Sequence, residues 1–268
     1  MAEESPQAAK WRGALPAGQG DVPGARDAYQ RAIDSGDPAS ASRAAVSLAV
    51  LLADEGDAGG ARALYQRAID SGHPDLAPLA ALGLGALLAG CGDVAGARAS
   101  YQRAIESGHT DAAPRAAAKL ATLLEEHGDV AGALAYHRQA VDSGHPDVAP
   151  LASLNLGVMF EQHGFAAEAR QRYQQAMASG NPEAAASGAL NLGILLDREG
   201  DVPGARAAYQ RAVDSGHPEA FPQAAVNYGC LLMDEGDIEG ARAMFRRAAE
   251  SGHAEAAPIA ADYLDQLT

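Results

Sequence analysis

The chain has 268 residues, 47% of them hydrophobic, and 64 are Ala, the strongest helix former. That apolar share is enough to offset chain entropy and excludes a disordered polymer, while the lack of β-branched runs alternating at period two excludes an all-β fold. A formal charge of −15 repels phosphate backbones and anionic lipid, so neither nucleic acid nor a membrane surface is expected as a partner.

The two cysteines, Cys91 and Cys230, are too few for a disulfide framework and fall in widely separated segments, so both are expected as free thiols. Residues 1–7 carry two glutamates and no basic stretch leading into an apolar one, so no secretory leader is expected. The most apolar window, Leu76–Gly90, is shorter than a membrane span. A cytoplasmic protein with no metal or cofactor is the expectation.

Internal repetition decides the architecture. Residues 1–19 read as a degenerate half repeat, with Pro6, Ala8, Ala9, Trp11 and Gly13 in the register of later copies. Repeats then start at Gly20, Gly56, Gly92, Gly128, Gly164, Gly200 and Gly236, each 36 residues after the last, and fill residues 20–254, with only the last copy short. In the clearest copy Asp201 is placed to cap a helix over Val202–Asp214, whose apolar face is Ala205, Tyr209, Ala212 and Val213. Ser215-Gly216 ends it. A second helix starts near Pro218 and carries Ala224, Ala225, Tyr228, Gly229, Leu231 and Leu232. A lone helix pair cannot bury both faces, so the pairs must stack. Residues 255–268 supply a final capping helix with Asp262, Asp265 and Gln266 on its outer face.

Asn191-Leu192-Gly193, Gly200-Asp201, Ala205, Tyr209 and Ala212 match the order and spacing of the tetratricopeptide repeat, and the pattern covers residues 5–268. The chain therefore resembles a tetratricopeptide repeat protein. Two extra residues after the Ser-Gly turn also make its repeat similar to the Sel1-like variant. The resemblance implies an all-α solenoid: antiparallel helix pairs in a right-handed superhelix, with the Leu-Gly helix (helix A) inside and the Tyr helix (helix B) outside. It also implies a non-catalytic scaffold that holds a protein or peptide in the groove lined by helix A.

Mapped onto this chain, the groove position before Leu-Gly reads Trp11, Ser47, Gly83, Lys119, Asn155, Asn191, Asn227 and Tyr263. Asn155, Asn191 and Asn227 form a row of amides, each a donor and an acceptor, able to pair with an extended backbone; alternatively, each bonds a neighbouring helix. Leu151, Leu154, Val158, Leu190 and Ile194 are the apolar positions around them, and Arg43, Arg115 and Lys119 bring charge. Arg115 and Lys119 share a helix face, as in the family's carboxylate clamp, but Gly83 and Val46 stand where that clamp needs Asn and Lys. A weaker anion contact remains as one reading and solvated surface charge as the other.

The Ser-Gly-His series, His73, His109, His145, His217 and His253, reads as turn chemistry, because stacked repeats hold equivalent side chains too far apart to share one metal ion. The copy from Gly128 is irregular: Leu134 replaces the recurring Arg, His137 takes the Tyr place, and Phe165 replaces the next capping Asp. Either this is drift that repacks locally, or it marks a patch for a partner. No P-loop, G-x-S-x-G, H-E-x-x-H or C-x-x-C occurs, so an enzyme or small-molecule binder is the least favoured class. The alternative to a scaffold is a sensor or oligomerisation module of a larger regulator. A monomer or weak homo-oligomer is expected.

Overall fold

A computed structural model describes residues 22–267, so the N-terminal half repeat lies outside the described residues. Fourteen α-helices and no strand occur among the described residues. In chain order they are α1 (Val22–Asp34), α2 (Pro38–Asp54), α3 (Ala58–Asp70), α4 (Leu76–Gly90), α5 (Val94–Glu106), α6 (Ala112–Glu126) and α7 (Val130–Asp142). Then follow α8 (Ala149–Gln162), α9 (Ala166–Ala178), α10 (Pro182–Arg198), α11 (Val202–Asp214), α12 (Ala220–Asp234), α13 (Ile238–Glu250) and α14 (Ala256–Gln266). Odd-numbered helices are the B helices and even-numbered ones the A helices. No described helix is long and apolar enough to cross a membrane.

The chain divides into two compact halves, one ending at Tyr136 and the other starting at His137. In the N-terminal half each helix packs on the next from α1 to α6, and A helices also pack on one another, α2 on α4 and α4 on α6. In the C-terminal half the same order runs from α8 to α14, with α8 on α10, α10 on α12 and α12 on α14. This is an all-α helical-repeat solenoid.

The repeat motif has a physical reading at each turn. Between helices A and B, Gly200 takes φ 77°, and Asp201 N–H bonds Leu196 C=O at 2.9 Å while Gly200 N–H bonds Asp197 C=O at 3.0 Å. Those two bonds satisfy carbonyls that the helix end leaves open, and only Gly adopts that φ without strain. Asp201 then caps α11, its Oδ1 accepting from Gly204 N–H at 3.1 Å. Glycine at the capped position, a poor helix residue, is explained by space. A Cβ there would stand 2.5 Å from the capping carboxylate of Asp201, and 2.4 to 2.7 Å at the matching sites Gly60, Gly96, Gly132 and Gly240. The cap and its glycine come as one device.

The B-to-A turn is built by Ser and His. Ser107 Oγ donates to Ala104 C=O at 2.6 Å and accepts from His109 N–H at 3.2 Å. His109 Nδ1 then accepts from Asp111 N–H at 3.2 Å and Ala112 N–H at 3.1 Å, so the imidazole stands at the head of α6 where an Asx residue would cap. His253 does the same with Glu255 and Ala256. In this arrangement α12 begins at Ala220, just past the start expected near Pro218-Glu219. Where Asp37 or Asn181 replaces His, the side chain caps directly and the helix does begin at its Pro, making α2 and α10 17 residues long.

Between the helices lies a seam of ring on glycine. Tyr29, Tyr65, Tyr101, Tyr173, Tyr209 and Phe245 are all 5% exposed or less. A Cβ placed on Gly85, Gly157, Gly193 or Gly229 would come within 2.5 Å of Tyr101, Tyr173, Tyr209 or Phe245 respectively. The Leu-Gly signature is therefore a slot for the following aromatic ring. His137, at the same phase, is fully buried with neither ring nitrogen hydrogen-bonded, and desolvation lowers its pKa to about 4.

Candidate functional site

In the C-terminal half the groove residues expected from sequence divide by exposure. Asn155 on α8 is exposed, and Asn191 on α10 and Asn227 on α12 are half-exposed at one phase of three successive A helices. Among the described residues none of these three side-chain amides is engaged by a hydrogen bond, so no neighbouring helix uses their donors and acceptors. Leu151, Leu154, Val158 and Ile194 are half-exposed. Leu190 is not a surface residue: at 6% exposure it packs in the core of the helix pair.

A cleft of about 310 Å³ gathers part of this set. It is lined by Val158, Glu161 and Gln162 from α8, Tyr173 from α9, and Asn191, Ile194 and Arg198 from α10. Helical spacing explains the grouping: Val158 and Glu161 are three apart, Asn191 and Ile194 likewise, and Arg198 follows Ile194 by four, so each set shares one face. Leu151, Leu154, Asn155 and Asn227 lie outside this cleft.

Glu161 organises the floor. Its Oε2 accepts from the Tyr173 hydroxyl at 2.7 Å and its Oε1 from Arg198 Nη1 at 2.7 Å. The carboxylate side chain is 21% exposed and the Arg198 side chain 70%, so the pair is a rim contact bridging two A helices. Burial first, and then the hydrogen bond to Glu161, push the Tyr173 phenol well above its ordinary pKa. Tyr209 repeats the pattern one repeat later, its hydroxyl 3.3 Å from Asp197 Oδ2 and its pKa raised by burial and then by that carboxylate. In the N-terminal half Tyr101 is pushed up to about 12 by burial and by Glu126. These phenols stay protonated at neutral pH and act as packing groups and donors. At the end of the row, burial raises the Cys230 thiol, and a hydrogen bond with Cys230 raises the Tyr263 phenol.

The basic candidates lie in the N-terminal half. Arg43 and Lys119 are exposed. Arg115 is half-buried, its Nε donating to Asp111 Oδ1 at 2.9 Å, an i,i+4 ion pair that matches its charge within its own repeat. Sequence reasoning did not single out Glu161, Gln162 and Arg198. Both cysteines are free thiols, Cys91 exposed and Cys230 half-buried. Among the described residues no three His, Cys, Asp or Glu side chains converge as a metal site requires. Phe165, which heads α9 without a side-chain cap, is 52% exposed and meets Phe160 edge-on at 6.3 Å.

No curated protein matches the sequence. Solved structures share its fold at low identity, which carries the architecture alone. One is described as the functional characterization of Pseudomonas aeruginosa pilF, with a TM-score of 0.61 at 17% identity over 88% of this chain and 96% of that one. BtubC (BKLC) from P. vanneervenii aligns with a TM-score of 0.54 at 20% identity, over 86% of this chain and 91% of that one. The APC/C hetero-tetramer Cut9-Hcn1 aligns with a TM-score of 0.58 at 14% identity, over 93% of this chain and 46% of that one. The family model described as tetratricopeptide repeat matches residues 17–75, 82–148, 118–185 and 160–225, and a second model of the same description matches 222–251. With most of the sequence matched, and with a ring-in-glycine slot joining successive helices in both halves, the chain belongs to the tetratricopeptide repeat family.

Proposed function

We propose that the chain is a non-catalytic interaction scaffold that holds an extended polypeptide segment against its A helices, chiefly in the C-terminal half. Tetratricopeptide arrays serve protein–protein contact, and the observation that carries the finer reading is the row of unengaged amides at Asn155, Asn191 and Asn227. Asn191 opens into the cleft beside Val158 and Ile194. An extended segment has a backbone donor or acceptor at every residue, so the amides offer sequence-tolerant pairing while the cleft seats an apolar side chain. The Asp that recurs at the A-to-B turns is spent on a helix cap, and Glu161 on Tyr173 and Arg198, which favours a binding role over acid–base catalysis. The acidic surface and free thiols fit the cytoplasm.

The test is a partner recovered with the intact chain and titrated by calorimetry against wild type and the Asn155→Ala, Asn191→Ala, Asn227→Ala triple variant. Each lost hydrogen bond is worth roughly 0.5–1.5 kcal/mol, so the triple variant should bind about 10- to 1,000-fold more weakly while remaining folded. Unchanged affinity in a folded triple variant would move the site off the A helices, and the edge around Phe160 and Phe165 would be examined next.

A further inference from the structure

In the C-terminal half the charges sort by row. All the basic side chains except Arg198 lie on B helices: Arg138 on α7, Arg170 and Arg172 on α9, Arg206 and Arg211 on α11, and Arg242, Arg246 and Arg247 on α13. The A helices carry Glu161, Glu183, Asp197, Asp234, Asp262 and Asp265 against Arg198 alone. Much of the B-row charge is already matched, Arg170 by Glu199, Arg206 by Glu235 and Arg242 by Glu239. Arg211 caps the Met177 carbonyl, and Arg247 lies over the Phe221 ring. Arg198, the one cation of the A row, is held by Glu161.

The placement of the acids runs against helix electrostatics. A helix C-terminus carries partial negative charge and favours cations. Acids end helices of both rows, Asp142, Asp214 and Glu250 on the B helices included, but α11 and α13 also carry Arg211 and Arg247 in their last turns. Of the A helices, α8 and α12 have no basic residue in the last turn and end at Glu161-Gln162 and Met233-Asp234, while α10 ends at Asp197-Arg198 with its arginine held by Glu161. Asp197 and Asp234 are exposed, each beside a half-exposed apolar residue of the same phase, Ile194 and Cys230, while Val158 occupies that phase on α8. The exposed carboxylates of Asp197 and Asp234 thus stand on the same helices as the half-exposed apolar residues, next to the cleft at Val158 and Ile194.

We infer that the occupant of this face is a basic amphipathic polypeptide segment, its aliphatic side chains seated at Val158, Ile194 and Cys230 and its Arg or Lys side chains on Asp197 and Asp234. The inference rests on the reading of the A helices as the binding face and adds the partner's chemistry. A cation there relieves the repulsion between each carboxylate and its own helix end, which an acidic segment would worsen.

The probes are three fluorescein-labelled 12-residue peptides, one alternating Leu and Arg, one alternating Leu and Glu, and one alternating Gly and Arg, titrated into the full chain by fluorescence anisotropy at low and high salt. The Leu/Arg peptide should bind tightest, weaken with salt, and lose about 10-fold on the Asp197→Asn, Asp234→Asn double change, the sum of two exposed ion pairs. Removing the same charge from the B row by Glu168→Gln, Glu239→Gln should leave its affinity unchanged. Failure of the Leu/Arg peptide to bind, or equal weakening by the two double variants, overturns the inference, the latter because it marks diffuse attraction to an acidic protein. Equal or tighter binding of the Leu/Glu peptide overturns the basic partner alone, provided Asn191→Ala with Ile194→Ser still weakens it. Should Asn191→Ala with Ile194→Ser leave every peptide unaffected, the A-helix reading itself falls.

Discussion

Replacing Gly193 by Ala tests whether the Leu-Gly signature is a slot for the next aromatic ring. The added Cβ would stand 2.5 Å from Tyr209 Cδ1, 2.6 Å from Cε1 and 3.1 Å from Cγ. Carbon contacts settle at about 3.5–4.0 Å, so the ring must withdraw by about 1 Å. It has little room to do so: Tyr209 is 2% exposed, and its base as well as its tip is in contact. Overpacking of this kind costs about 1–3 kcal/mol, set against a gain of up to about 1 kcal/mol for Ala over Gly within a helix. A net loss of about 1–2 kcal/mol is expected, read as a lower urea midpoint in the far-ultraviolet circular dichroism signal. Gly90→Ala is the control, since a Cβ there meets nothing within 4 Å; it should be neutral or slightly stabilising. Adding Tyr209→Leu to Gly193→Ala should cost less than the two single losses together, because the shorter side chain vacates the clash. If Gly193→Ala behaves like Gly90→Ala, the glycine is not there for the ring and the slot argument fails.

Three further outcomes follow from the same geometry. Tyr101→Ala should cost on the order of 3–5 kcal/mol and Tyr101→Phe less than about 1 kcal/mol in urea unfolding, because the ring is buried and Phe245 fills the same place without a hydroxyl. Asp201→Ala should cost about 1 kcal/mol by removing the cap on Gly204 N–H. His137 is neutral when folded down to about pH 4 but takes a proton near pH 6.5 when unfolded, so its contribution is complete above pH 6.5 and is lost as pH falls toward 4. His137→Phe should therefore remove about 2–3 kcal/mol of stability loss between pH 7.5 and 4.5, and parallel pH profiles for the two proteins would contradict the burial of an uncharged imidazole.

Much of the fold was legible because the features that make it are local and recur. Val202–Asp214 is the helix expected from its cap and apolar spacing, and Tyr209 and its equivalents are buried where their period placed them. The start of α12 falls just past the expected Pro218-Glu219 because a histidine ring nitrogen caps its N-terminus, a role that composition assigns to Asp, Asn, Ser or Thr. Leu190 was assigned to the groove by phase alone. Its neighbour Asn191 is half-exposed while Leu190 is 6% exposed, a one-residue rotation that decides between surface and core. The polar contacts of the cleft were less visible still: Glu161, Tyr173 and Arg198 come from three helices, and no local pattern states that their side chains meet.

The repeats themselves separate the two kinds of constraint. Across the copies, the capping Asp with its glycine, the buried Ala residues and the aromatic ring hardly change, because each repeat must present the same surface to the next for stacking to continue. The A-helix position before Leu-Gly varies more and reads Ser47, Gly83, Lys119, Asn155, Asn191, Asn227 and Tyr263; Ser47 is buried and Gly83 faces the Tyr65 ring, but Lys119 and the three asparagines reach the surface. The last position of the same helices reads Asp54, Gly90, Glu126, Gln162, Arg198 and Asp234. Residues free of packing drift toward what helix electrostatics favours unless another requirement acts, and at a C-terminus that is a cation. Only Arg198 conforms, while Asp54, Glu126 and Asp234 do not. B helices end in acids too, at Asp142, Asp214 and Glu250, but α11 and α13 carry a last-turn arginine that α12 lacks, and a basic partner docked on the A helices would supply that missing cation.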